Sequence, residues 1–483
     1  EILTRSDLNT AERADSMNAL KMYIGTMLLE SIMALSRQGR SPQAGNLEFL
    51  VSYPENGSGE GITKLMKEAV SGALEAANEY LTAQNQLAVG KNVTLISESE
   101  ATAKWHKNNP PTTTFIGDTV AAGTPDYGYS TLDFSLRING RLYVFSVPYG
   151  GKNITNVTLA EVYAAGRDPE RLKCLAKCFS DGSQELIAKA MEAILAAAET
   201  ADGKLYDQLA FILPLNQLFN TCTFCVTGAN ADTYMRQVQQ LVEAKLNVAL
   251  PAYADSIVRA IQAGDLDTDS EILLAPVGKG SLSLNNTGAD FENRFTDRLK
   301  NLIGKKLGAD YTGTILLLPN NDTDKVSVAQ GLIDLRESDF DRTDTDLVLT
   351  DDPIVHYLDL VYGPADSPAR TEFMDELNAA DTAATKAEYI AKRRALYNNA
   401  FENLMDNYTY TDFEGDFNLW GYTGTGDGSF DDSVRSMAKD SFDNLIAELK
   451  DSKKSLIMSC PGVEKEMICG AMIDLIIERM SAR

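Results

Sequence analysis

The chain has 483 residues, 44% of them hydrophobic and 23% charged, with a formal net charge of −25 and an isoelectric point near 4.5. That length accommodates more than one domain, and the acidity excludes a general basic surface for a nucleic-acid backbone or an anionic membrane. Nucleotides stay open as ligands, because backbone N–H groups and one metal ion hold phosphates in an acidic protein as well.

The opening "EILTRSDLNT" carries no initiator methionine, charged n-region or apolar h-region, and no run of eighteen apolar residues occurs anywhere. The sequence therefore reads as a cytoplasmic piece of a longer polypeptide, without a signal peptide or membrane span. Asp15 or Ser16 is the expected N-cap of a helix to Arg37, on which Leu20, Tyr23, Met27, Leu28 and Leu35 recur at helical spacing. A polar loop at 39–45 leads to a strand at 47–55, a helix at 61–81 and a second strand at 92–101. A short helix with Trp105 and His106 follows, then a Pro/Thr loop and a hairpin turning at Asn139-Gly140, a type I′ signal.

Residues 168–265 read as nearly continuous helix, 270–281 as a buried strand opening onto glycines, 289–304 as helix, 313–320 as strand and 324–335 as helix. Strands alternating with helices indicate an α/β layered fold with much parallel pairing. From about Arg342 the pattern changes to an acidic, linker-like run, further helices, a Tyr/Gly-rich loop at 408–432 around Trp420 and a last helix after Pro461. That loop reads as a Gly-rich cover over the core, with a partner surface as the alternative, and the "GDGSFDD" within it lacks the ligand spacing and closing glutamate of a calcium loop.

Most familiar catalytic patterns are missing. The cysteine pairs Cys174/Cys178 and Cys222/Cys225 read as buried thiols rather than a zinc site. The two histidines, His106 and His356, leave no material for a Ser-His-Asp triad, and "VGKGS" lacks the first glycine of a P-loop. The sequons at Asn92 and Asn153 have no secretion signal to support them.

What remains is "DYGYSTLD" at 126–133, two aspartates framing a glycine and small hydroxyls at the start of the hairpin. Glycines let backbone approach phosphate oxygens, and a neighbouring carboxylate can hold hydrated Mg²⁺. This stretch resembles the second phosphate loop, D-[IL]-G-G-G-T-x-D, of the actin and heat-shock chaperone ATPase superfamily, with Asp126, Gly128, Thr131 and Asp133 identical. Four further motifs stand in the family's order. They are a strand ending in V-P before a helix (here "FLVSYPE"), Glu98 on the glutamate of I-N-E-P-T-A-A, Gly150-Gly151-Lys152 after the hairpin, and Val277–Ser281 on the adenosine loop V-G-G-S. "AQGL" at 329–332, preceded by Asp324, resembles the family's final helix.

The resemblance spans roughly residues 15–340 and implies a two-lobed actin-like (ribonuclease H-like) α/β fold. Residues 1–125 would be a partial first lobe, 126–340 the second lobe and 341–483 an added helical region. It also implies ATP or ADP with Mg²⁺ at Asp126, Gly128, Ser130, Thr131, Gly150 and Gly151, adenosine at Gly278, Gly280 and Ser281, and catalytic roles for Asp126 and Glu98. Glu185 and Lys189 are the candidates for the ribose. Two departures oppose turnover: Tyr129 and Ser130 replace inner glycines, and the family's first phosphate loop, D-x-G-[ST], is absent. The alternative is a non-catalytic pseudo-ATPase scaffold that binds a protein partner through 341–483.

Overall fold

The computed structural model describes residues 10–38, 48–53, 59–83, 92–109, 121–128, 131–151, 153, 242–288, 290–318, 326–335, 341–344, 358–419, 429–458 and 464–481. The chain divides into two compact units, one of residues 1–117 with 324–342, the other of 118–323 with 343–483. Both mix helices with strands. Among the described residues no helix is long and apolar enough to cross a membrane.

In chain order the first unit holds α1 (Thr10–Arg37), β1 (Glu48–Tyr53), α2 (Gly59–Ala83), β2 (Asn92–Ser97) and α3 (Glu98–Asn108). The second then contributes β3 (Ala121–Tyr127), β4 (Leu132–Ile138), β5 (Arg141–Val147), α4 (Leu250–Gln262), β6 (Ile272–Leu274), a 3₁₀ helix (Lys279–Asn286), α5 (Phe291–Leu307) and β7 (Ile315–Leu317). The helix α6 (Val326–Leu335) returns to the first unit, and β8 (Asp341–Asp344) follows. The remaining helices are α7 (Leu358–Tyr362), α8 (Pro368–Asp381), α9 (Lys386–Asn407), α10 (Tyr410–Leu419), α11 (Ser429–Asp440), α12 (Phe442–Ser452), α13 (Lys454–Met458) and α14 (Glu464–Ser481).

In the first unit β1 and β2 pair in parallel, joined by the α2 crossover. Side chains alternate along β1, so Phe49 and Val51 pack with Ile24, Leu28, Val70 and Leu74 of α1 and α2, while Leu50 joins Ile96, Ala101, Leu332 and Leu335. The pair is thus covered on both faces, as parallel strands require. The second strand ends at Ser97, short of the expected 101, because Ser97 caps α3: its Oγ accepts from the Glu100 N–H at 3.1 Å. Helix α1 begins at Thr10, ahead of the expected cap. On α6, Gly331 lies against the Ala101 carbonyl of α3, and Asn108 Nδ2 donates to Asp334 Oδ2 at 2.7 Å.

The second unit is built on a six-stranded mixed sheet in the order β7-β6-β3-β4-β5-β8. Strands β3, β4 and β5 run antiparallel in sequence, whereas β3 is parallel to β6 and β6 to β7. Asn139 and Gly140 both take positive φ (50° and 78°), the turn their dipeptide predicts. The "DYGYSTLD" stretch, expected at the start of the hairpin, spans the end of β3 and the start of β4. Asp126 is the penultimate residue of β3, Asp133 lies on β4, and they stand opposite each other in antiparallel register.

Residues 342–352 were expected to be linker, yet Asp341–Asp344 forms the strand β8 at one end of the sheet order. Within the expected loop at 408–432, residues 410–419 are helical and a further helix starts at 429. Thr409 starts the first of these, its N–H and Oγ both donating to Asp412 Oδ2 at 2.7 Å, and Phe413 is buried against Phe442.

The expected boundary at 340/341 does not separate two cores. Phe413, Phe442, Leu445, Ile468, Met472 and Ile476 share one hydrophobic cluster with the sheet residues Leu132, Phe134 and Phe145 and with Tyr253 of α4. A buried polar knot lies within the same unit: Asp474 of α14 pairs with Lys245 and Lys453 and accepts from Tyr149 OH.

Candidate functional site

Three backbone segments meet at one end of the central strands. The first is the end of β3, where Tyr127 N–H donates to Val277 O at 3.0 Å and Val277 N–H to Pro125 O at 2.8 Å. The parallel β3–β6 pairing thereby continues past β6 as a bridge between Asp126 and Val277. The second segment is Gly150-Gly151 after β5, and the third is Gly278–Gly280 at the start of the 3₁₀ helix.

Glycine is a requirement here, because the three backbones touch. A Cβ on Gly280 would stand 2.9 Å from Tyr127 O and 3.0 Å from Gly151 Cα. Gly278 adopts φ 79° and ψ 159°, a region open essentially only to glycine, and a side chain there would meet the Asp126 carboxylate. Gly151 N–H donates to Gly128 O at 2.7 Å, tying the second segment to the first.

The structure therefore brings Asp126, Gly128, Thr131, Gly150, Gly151, Gly278, Gly280 and Ser281 together. Glu98 stands in the other unit, where its Oε1 accepts from Ser52 Oγ at 3.3 Å. Ser130, Tyr129, Lys152, Glu185, Lys189, Asp324, His356, Trp420 and the four paired cysteines lie outside the described residues.

Several polar groups at this junction are already engaged. Gly128 N–H donates to Asp126 O at 3.1 Å and Gly150 N–H to Asn153 Oδ1 at 3.1 Å. Ser281, fully buried, closes its hydroxyl on Gly278 O at 2.5 Å, which makes it a structural cap rather than a free ligand donor. Thr131 Oγ donates to Asp133 Oδ2 at 3.2 Å. The N–H groups of Gly278 and Gly280 find no partner among the described residues and remain as donors.

Sequence reasoning missed three supporting residues. Tyr127 is buried beneath Gly280, and its hydroxyl accepts from Tyr253 OH at 2.9 Å; burial pushes it up to about 12, so it stays neutral. Asn153 holds the Gly150 N–H, a role that its position three residues after the glycine would have suggested. Tyr149 anchors the same loop through Asp474, and no sequence signal joins residues 325 positions apart. Among the described residues, no three His, Cys, Asp or Glu side chains are grouped to hold a metal ion. Neither a protein-family model nor a curated protein matches the sequence.

Proposed function

We propose that this chain is an actin/heat-shock chaperone-like nucleotide-binding protein, holding ATP or ADP with Mg²⁺ and hydrolysing it weakly or not at all. The observation that supports this most is the convergence at one sheet end of Asp126–Gly128, Gly150-Gly151 and Val277–Gly280. These are three motifs read separately from the sequence, between 22 and 154 positions apart. The strand order β7-β6-β3-β4-β5, with its antiparallel hairpins and parallel extension, is compatible with the ribonuclease H-like core that the resemblance implies.

The donor set suits an anion in part. Gly278 and Gly280 offer N–H groups at the start of the 3₁₀ helix, with Thr131 close by, while Asp126, half-buried, offers one carboxylate. Mg²⁺ keeps most of its waters and borrows one or two carboxylates, so Asp126 would hold it, and when bound it neutralises phosphate charge. Catalysis of this kind depends almost wholly on positioning.

The engaged N–H groups of Gly128, Gly150 and Gly151 favour a second reading, a pseudo-ATPase scaffold that has kept the fold and uses 341–483 for a protein partner. Calorimetry with ATP and Mg²⁺, run beside a phosphate-release assay, tests both. Binding whose Mg²⁺ dependence disappears in Asp126→Ala, and which strengthens in Tyr129→Gly, supports the nucleotide reading. Turnover unaffected by Asp126→Ala overturns the site. No binding by either protein leaves the scaffold.

A further inference from the structure

Helix α14 belongs to the region that the sequence sets apart from the nucleotide motifs, yet one of its side chains reaches the loop behind them. Asp474 is fully buried, and around it stand Lys245 just before α4, Lys453 after α12 and the hydroxyl of Tyr149. Tyr149, itself 2% exposed, precedes Gly150-Gly151 without an intervening residue. Its backbone is held too: Tyr149 N–H donates to Val147 O at 2.8 Å across Pro148, whose ring fixes φ. Two residues on, Gly151 donates to Gly128 O and abuts Gly280.

We propose that Asp474, acting through Tyr149, is a positioning residue for the Gly150-Gly151 segment, so that the C-terminal helix sets the spacing of the three-glycine junction from behind. The proposal deepens the nucleotide reading and depends on it only for the identity of the ligand. Two residues span at most about 7 Å of chain, too short to absorb a shift of the Tyr149 ring without moving Gly151. The packing at Gly151, 3.0 Å from a built Cβ to Gly280 Cα, leaves no slack on the other side. Asp474 is itself fixed by two ammonium groups, and a buried carboxylate with three partners does not reorient. A ligand that requires the junction closed would then bind more tightly when α14 is seated, and α14 would be held more firmly when that ligand is bound.

Tyr149→Phe is the informative variant, because it removes one hydroxyl and keeps the ring. Hydrogen–deuterium exchange of the full chain without nucleotide should show the Gly151 amide exchanging about tenfold faster than wild type, since a hydrogen bond to a charged group has been lost. The amides of the Asn139-Gly140 hairpin should be unchanged. Asp474→Asn keeps an acceptor for Tyr149 and removes the charge: global stability should fall while Gly151 protection falls less than in Tyr149→Phe. Unchanged Gly151 exchange in Tyr149→Phe would overturn the proposal, as would a rise that merely tracks global stability across the unit. A parallel titration with ATP and Mg²⁺ keeps the two ideas apart. Loss of affinity in Tyr149→Phe extends the coupling to the ligand, whereas a wild type that binds no ATP sinks the nucleotide reading and leaves the exchange result to decide the coupling.

Discussion

Replacing Gly331 with alanine sets helix propensity against packing, and the two predict opposite signs. Inside an exposed helix Gly→Ala stabilises by about 1 kcal/mol. Here a Cβ on Gly331 would overlap the Ala101 carbonyl oxygen, standing 2.5 Å from its carbon and 3.0 Å from its Cα. Ordinary carbon contacts lie at about 3.5–4.0 Å, so α3 and α6 must move apart by roughly 1 Å. The obstacle is backbone, which cannot rotate away as a side chain would. A gap of that size forfeits a quarter to a half of each dispersion contact along the crossing, where Ala101, Leu332, Leu335 and Ile96 cluster. Overpacking of this kind costs about 1–3 kcal/mol, and the rigid obstacle puts this site near the top of the range. After the propensity gain, a net loss of about 2 kcal/mol is expected for Gly331→Ala. Urea denaturation followed by far-UV circular dichroism measures it. Ala329, exposed on the same helix, is the control, and Ala329→Gly should lose about 1 kcal/mol through propensity alone. A Gly331→Ala protein as stable as wild type, or more stable, would refute the close crossing.

Gly278→Ala combines a glycine-only conformation with a clash against Asp126 and should cost about 3 kcal/mol. Gly140→Ala, at φ 78° but in open space, should cost about 1 kcal/mol; equal midpoints in urea for the two would contradict the junction geometry. Ser281→Ala should lower stability by about 1 kcal/mol and leave ATP affinity within twofold, because its hydroxyl is spent on Gly278 O; a large affinity loss would make it a ligand contact after all. Burial raises the Asp474 acid, but the Lys245 and Lys453 ammonium groups outweigh it and hold the acid at about 2, with Tyr149 the fourth group at the knot. The folded form therefore binds fewer protons than the unfolded chain between about pH 4 and pH 2, so stability present above the unfolded value is lost as pH falls through that window. The loss is about 2 kcal/mol, and denaturation at stepped pH should find it flattened in Asp474→Asn; an identical acid limb in both proteins would exclude the pair as its cause.

Local chemistry carried much of this protein. Asn139-Gly140 dictated its own turn, because few dipeptides tolerate two positive φ values in succession. The alternation of strands and helices announced mixed α/β layers, and the glycines at 128, 150, 151, 278 and 280, read as room for phosphate, stand where backbone approaches backbone. Element edges were less legible. The sequence carried the second strand on to 101, whereas Ser97 both ends it and caps α3. The acidic run at 341–352 read as a linker, yet Asp341–Asp344 is a strand.

What composition could not reveal was pairing at a distance. Asp126 and Asp133 face each other from different strands, and Asp126 also bridges in parallel to Val277, a contact across 151 residues. Ser281 reads as a ligand hydroxyl until the 3₁₀ turn folds it onto Gly278 O. Residues 341–483 look independent along the chain, yet a buried aspartate needs counter-charges, and Asp474 finds them on Lys245 and Lys453 while accepting from Tyr149. Sequence sets what each residue can do locally. Burial and electrostatic neutrality, which depend on the whole chain, decide which distant residue it does it with.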